Sequence, residues 1–147
     1  MKASVCFVFA VVCWFAAQAE SSPKILTLSK VMNELNKINQ GMIKNKSRTL
    51  NSPTINDLED CCVKSALDCF RAKVFHLSVT DAKLKRSQKI ISHELRKSVI
   101  LDSVSNCKPE EIQKAQCKSC DSYKKVDSQT FVQNFQTLMQ KIYASEA

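Results

Sequence analysis

The cysteines are the residues whose type and spacing could do chemistry: Cys61, Cys62 and Cys69 in one run, Cys107, Cys117 and Cys120 in another. A Cys-x-x-Cys such as Cys117-Lys-Ser-Cys120 suits dithiol redox work or half of a zinc site. No βαβ pattern surrounds it, so neither use is expected. Acid–base chemistry near neutral pH would fall to His76 and His93. Neither has a nucleophile or carboxylate partner at motif spacing, and both read as helix-surface residues. Gly41 is the chain's single glycine, which excludes a Gly-rich phosphate loop. No catalytic residue, metal or cofactor is expected, and the chain does not read as an enzyme.

The first nineteen residues say what those cysteines are for. Lys2 is a short basic start, Val5 to Ala17 is an apolar run, and Ala17-Gln18-Ala19 is a cleavage signal. The run is shorter than the ~20 residues a membrane span needs. Residues 1–19 are therefore expected to be a signal peptide and residues 20–147 one exported domain. Cys6 and Cys13 leave with the peptide. Six cysteines remain, an even number that reads as three disulfides in an oxidising compartment. The mature protein is expected to be secreted, soluble and monomeric, with no membrane insertion.

Asp60-Cys61-Cys62-Val-Lys-Ser65-Ala66-Leu-Asp68-Cys69 resembles the Cys-Cys-x-x-His-Asp-x-Cys helix of secreted phospholipases A2. That chemistry needs a histidine base beside an aspartate, and a Gly-rich calcium loop. Ser65 and Ala66 occupy the two positions and the loop is missing, so this reading fails.

Four helices are expected to position the cysteines. Helix A runs from Pro23 or Ile25 to Lys44, with Ile25, Leu28, Met32, Leu35, Ile38 and Met42 on one stripe that Val31 widens. Lys24, Lys30, Asn33, Glu34 and Lys37 lie off that stripe, facing water or a partner. Residues 45–56 form a linker holding Pro53 and a glycosylation acceptor at Asn45. Helix B is expected over Asp57–Leu77, capped by Asn56 or Asp57, with Asp57, Glu59 and Asp60 near its positive end. Its core residues are Val63, Ala66, Leu67, Phe70, Val74 and Leu77.

Helix C is expected over Ala82–Val104 behind a Thr80 or Asp81 cap, with Leu84, Ile91, Leu95, Ser98 and Leu101 inward. Lys83, Lys85, Arg86, Lys89, Arg96 and Lys97 make it the most basic element, and Ile90 lies among them. A polar loop over 105–126 has a short helical turn at Pro109–Ala115. Helix D runs from Ser128 to Ala144, with Asp127 as cap and Val126 and Phe131 as a hydrophobic staple. Phe131, Phe135, Leu138 and Ile142 face the core, and Gln133, Gln136, Gln140 and Tyr143 form a polar face.

The links read long, short, long. A short link makes neighbours antiparallel, whereas a dozen extended residues can run the length of a ~30 Å helix. This is the pattern of an up-up-down-down four-helix bundle. Cys62 and Cys69 stand about 10 Å apart on a helix, the distance Cys117 and Cys120 span when extended. Two rungs from helix B to the C–D loop are feasible, and spacing does not distinguish the parallel pairing from the crossed one. Cys61 is left with Cys107.

Three stretches then become recognisable. Cys117-Lys-Ser-Cys120-Asp-Ser-Tyr123-Lys-Lys, followed by Phe131-x3-Phe135-x2-Leu-Met-Gln140-Lys, resembles the C-terminal third of the short-chain cytokines of the interleukin-2, interleukin-15 and interleukin-21 family. Cys62-x2-Ser65-Ala66-x2-Cys69-Phe70 is similar to their helix B, and Lys89-Ile90-Ile91-Ser92 to a run in helix C. Cys120-Asp-Ser-Tyr123 favours the interleukin-21 branch. The resemblance covers helices B to D; helix A matches only in apolar spacing and lacks the branch's arginine-rich start, having Leu26, Leu28 and Lys30 there.

The resemblance implies a cytokine that joins a private interleukin-21-type receptor to the common cytokine receptor γ chain and so triggers Janus kinase/STAT signalling in lymphocytes. It implies Cys62–Cys117 and Cys69–Cys120 bridges, with Cys61 and Cys107 extra to the family pattern. Gln140 matches the family's γ-chain-facing glutamine, and Gln136 and Tyr143 would flank it, Tyr143 replacing an aliphatic residue. Lys30, Asn33 and Lys37 on helix A, with Lys89, Ile90, His93 and Lys97 on helix C, would meet the private receptor. An interleukin-2- or interleukin-15-like cytokine is the near alternative. The net charge of +8 suggests another, a basic helical protein binding sulfated glycans or membranes. No nucleic-acid partner is expected.

Overall fold

The computed structural model describes residues 23–42, 49–104 and 106–146. The expected signal peptide and the Asn45 acceptor lie outside them. Among the described residues the chain is mostly helical: α1 (Pro23–Gly41), α2 (Val63–Lys73), α3 (Ala82–Glu94), α4 (Ser98–Leu101), α5 (Pro109–Ala115) and α6 (Ser128–Glu146). Strands β1 (Thr49–Asn51) and β2 (Lys125–Asp127) pair antiparallel, Leu50 opposite Val126.

The core sits where α1 packs on α3 and α6. Leu28, Val31, Leu35 and Ile38 of α1 are wholly buried, and Met42 is nearly so. Ile25 and Met32, expected on the same stripe, are only half-buried. Lys24 and Glu34 are buried, contrary to the expectation that they face outward. Each does so with a partner, as a buried charge must. The Lys24 ammonium donates to the Ser103 carbonyl at 2.8 Å, tying α1 to the segment after α4. Lys37 Nζ lies 3.2 Å from both oxygens of Glu34.

Helix B starts later than expected. Residues Ile55–Asp57 and Asp60–Cys62 form separate 3₁₀ turns, and Leu58 and Glu59 between them are extended. Ile55 and Leu58 are partly buried against the core. That burial outweighs the local preference for an unbroken helix. Neither Asn56 nor Asp57 caps α2: its N-cap is Cys62, without a side-chain bond, and its first turn holds no acidic residue. The stripe beyond it behaves as expected, with Val63, Ala66, Leu67 and Phe70 buried, and Val74 and Leu77 buried at the start and just past the end of a further 3₁₀ turn.

Helix C divides. Asp81 caps α3, its carboxylate accepting the Lys83 N–H at 2.8 Å. The helix stops at Glu94, and Lys97 is extended (φ −63°, ψ 139°) before α4 begins. A 3.6-residue period cannot be carried through an extended residue. Ile100 is therefore the wholly buried side chain, while Ser98 is exposed and Leu101 half-buried. Between α2 and α3 the buried Gln88 amide donates to the carbonyls of Val74 (2.9 Å) and Leu77 (3.4 Å), tying α3 to the end of the preceding 3₁₀ turn.

Helix α6 closes the core. Phe135 stacks on Phe70 with ring centres 4.7 Å apart, and Phe131 meets Phe70 edge-on at 5.3 Å. The Asp127 carboxylate accepts the Thr130 N–H at 2.7 Å, the expected cap. Val126 packs on the core one residue before it. Among the described residues no helix is long and apolar enough to cross a membrane.

Candidate functional site

The disulfides bring the loop after α4 onto the start of α2. Cys61 is bonded to Cys107, Cys62 to Cys117 and Cys69 to Cys120. The last two are the parallel pairing of the two that spacing leaves open. Cys61 and Cys62 are adjacent in the chain, and their partners flank α5, so the two bridges hold that short helix at both ends. Cys69–Cys120 then fixes the segment that leads through β2 into α6. Glu111 approaches the Cys61 and Cys107 sulfurs, but both sulfurs are spent in a disulfide and cannot act as thiolate ligands.

A second clamp comes from the first long connection. The Asn51 amide, almost buried, donates to the carbonyls of Tyr123 (2.8 Å) and Asp121 (3.3 Å). Ser52 N–H donates to the Lys124 carbonyl at 3.1 Å, and Asn134 of α6 donates to the Ser52 hydroxyl at 3.0 Å. Tyr123 is part-buried, which pushes its phenol above the ordinary value. The Lys118 ammonium sits 5.9 Å from its ring centre. Both long connections thus meet at the point where α6 starts.

Helix α6 turns a polar face outward. Gln133 and Gln140 are exposed, Gln136 is half-buried, and Tyr143 packs partly on the core. Gln136, Gln140 and Tyr143 stand at i, i+4 and i+7, one face of the helix.

The other expected surface lies along α1 and α3, which pack directly on each other. Lys30, Asn33 and Lys37 are exposed on α1; Lys89, His93 and Lys97 are exposed on α3 and just after it. Ile90 is half-buried in a groove of about 740 Å³ with Glu34, Lys37, Leu84 and Arg86. Gly41 belongs to that groove because a Cβ there would come within 3.0 Å of Leu84. Several of these lysines are engaged within the fold. Lys30 and Lys97 both pair with Glu94, a side chain only 3% exposed. Burial would raise the Glu94 carboxyl, but the hydrogen bonds and charges of Lys97 and Lys30 outweigh it and leave the group below its ordinary value. Lys89 lies about 100° round the helix from Ile90, on the side away from the groove.

Glu94, Asn51 and Ser52 were not foreseeable as organisers of these surfaces. Only the i, i+3 spacing of Glu94 to Lys97 gave a signal, and nothing in the sequence marked Asn51. No protein-family model matches the chain, and no characterised protein matches it significantly.

Proposed function

We propose that the chain is a secreted short-chain cytokine of the interleukin-21 type, joining a private receptor to the common cytokine receptor γ chain. The observation that carries the reading is where the bridges fall. The segment from Cys117 to Lys125, which carries the strongest sequence resemblance, is clamped to α2 through Cys62 and Cys69 immediately before α6 begins.

The finer fold proposed with it is an up-up-down-down bundle of α1, α2, α3 and α6. In that topology the first long crossover runs down the bundle and the second runs up it. They are then antiparallel where they meet, and β1 and β2 are antiparallel. Three disulfides are compatible with an extracellular protein.

Binding energy and geometry do the work in this reading. The surface of Lys30, Asn33, Lys37, Ile90 and His93 is built on α1 and α3, and the surface of Gln136, Gln140 and Tyr143 on α6, so the two share no residue. Two receptor chains held on those two surfaces are brought together without competing. The Tyr143 ring offers area at low entropic cost, and the glutamine amides offer hydrogen-bond donors and acceptors.

The test is co-elution of the refolded mature chain with the two receptor ectodomains on size exclusion. A ternary complex is expected with the γ chain and an interleukin-21-type receptor. Assembly with the interleukin-2 or interleukin-15 private receptors instead would move the chain to a sister branch, and no binding to any of them would overturn the proposal.

A further inference from the structure

Helix α3 carries a row of cations that the fold itself does not neutralise. Lys85, Arg86, Lys89 and Arg96 are exposed, and none has a carboxylate partner among the described residues. Of the other basic residues near them, Lys97 and Lys30 are engaged on Glu94 and Lys37 on Glu34, while the exposed Lys83 lies well round the helix from these positions. The helical turn continues past Glu94, since Leu95 N–H bonds the Ile91 carbonyl and Arg96 N–H the His93 carbonyl. At about 100° per residue, Lys85, Lys89 and Arg96 then fall within a sector of about 40° along roughly 16 Å of helix. Arg86 and His93 border it on the outward side. Gln88, Leu84 and Ile91 are turned into the fold.

We infer that this row is a binding site for a linear sulfated polysaccharide. A line of closely spaced cations answers a line of closely spaced anions, and release of the counterions condensed on such a chain supplies affinity. Guanidinium and ammonium groups both donate strongly to sulfate oxygens. A membrane surface fits less well, because interfacial helices need large apolar side chains beside their cations. The exposed ones, Leu26, Phe75 and Ile112, lie on other elements. Single-stranded nucleic acid is disfavoured by the lack of any Phe, Tyr or Trp on α3 for bases to stack on. The site goes beyond receptor bridging and does not depend on it: it would hold an exported protein on the polysaccharide coat of cells.

The test uses the refolded mature chain, with heparin as the sulfated probe and hyaluronan, duplex DNA and phosphatidylserine vesicles as comparisons. Heparin is expected to bind at about 0.15 M salt and to weaken steeply as salt rises. Lys85→Glu with Lys89→Glu and Arg96→Glu is expected to weaken it by at least about tenfold. Lys114→Glu with Lys124→Glu and Lys125→Glu, the same charge change in the segment between α4 and α6, should leave it within about twofold. Should the first variant lose its helical circular dichroism, the single changes Lys85→Gln, Lys89→Gln and Arg96→Gln carry the same comparison. Equal weakening in both sets would show net charge rather than a site and overturn the inference. So would the absence of heparin binding at that salt, or hyaluronan, DNA or vesicles binding as tightly as heparin.

Discussion

Lys30 of α1 and Glu94 of α3 meet at 2.9 Å across the seam between the two helices, and Lys97 approaches the second oxygen of the same buried carboxylate. One acidic side chain therefore holds two residues that would otherwise be free cations on the surface proposed to meet a receptor. It also sits at the last residue of α3, just before the chain turns into α4. Lys30 and Lys97 thus have a structural use before they have a binding one.

Glu94→Gln should lower the unfolding free energy by about 1–3 kcal/mol, because the amide keeps the shape but loses two charged partners. The pH dependence has a definite sign. A carboxyl held below its ordinary value stabilises the folded chain above the unfolded value, about pH 4.3 for glutamate, and loses that contribution as pH falls further. Urea unfolding at pH 7 and pH 3 should show the wild-type advantage over Glu94→Gln shrinking at the lower pH. An advantage that grew on acidification would contradict the pairing.

Phe70 is the aromatic hub between α2 and α6, touching both Phe131 and Phe135. Phe70→Ala should cost about 3–5 kcal/mol, the range for a large buried ring, and Phe70→Leu about half that. Thermal unfolding followed by circular dichroism measures both. Equal costs would mean that leucine's added volume recovers nothing and that the ring contacts with Phe131 and Phe135 carry the effect.

The three bridges close long segments, the paired cysteines being 46, 55 and 51 positions apart. In the loop-entropy model each contributes on the order of 4 kcal/mol. Cys61→Ser with Cys107→Ser should free the start of α5 while Cys62–Cys117 still holds its far end. Hydrogen exchange over residues 109–115 should then accelerate while α6 stays protected. Uniform acceleration across the chain would show that this bridge supports the whole fold.

Asn51→Ala removes two donors to the carbonyls of Asp121 and Tyr123 and leaves those acceptors short of partners. A loss of about 1–3 kcal/mol is expected. Amide exchange at β1, β2 and the first turn of α6 should rise with it. A change confined to β1 would mean that the crossover clamp does not set the start of α6.

Much of this was legible in the sequence, and the failures share a cause. The stripes Leu28–Leu35–Ile38 and Phe131–Phe135–Leu138 were read correctly because a single period governs an unbroken helix. Asp81 and Asp127 were read correctly because a cap is a local event. The start of α2 and the break after Glu94 were missed because distant groups bear on them: Ile55 and Leu58 go to the core, and Glu94 pairs across the seam with Lys30 of α1. The same holds for β1 and β2, whose short strands have no period of their own. At the candidate site, exposure of Gln133 and Gln140 followed from helical phase. The engagement of Lys30 and the burial of Lys24 and Glu34 did not, since an ion pair between helices leaves no mark in either one.

Surface plasmon resonance of the γ-chain ectodomain on the immobilised mature chain tests the receptor reading most directly. Gln140→Asp places a charge at the centre of the exposed face of α6 without touching the core, and Lys118→Asp places one in the preceding loop. The account predicts that Gln140→Asp weakens binding at least about tenfold while Lys118→Asp changes it little, as expected of a central against a peripheral contact. Unchanged affinity in Gln140→Asp, with helical circular dichroism intact, would contradict it.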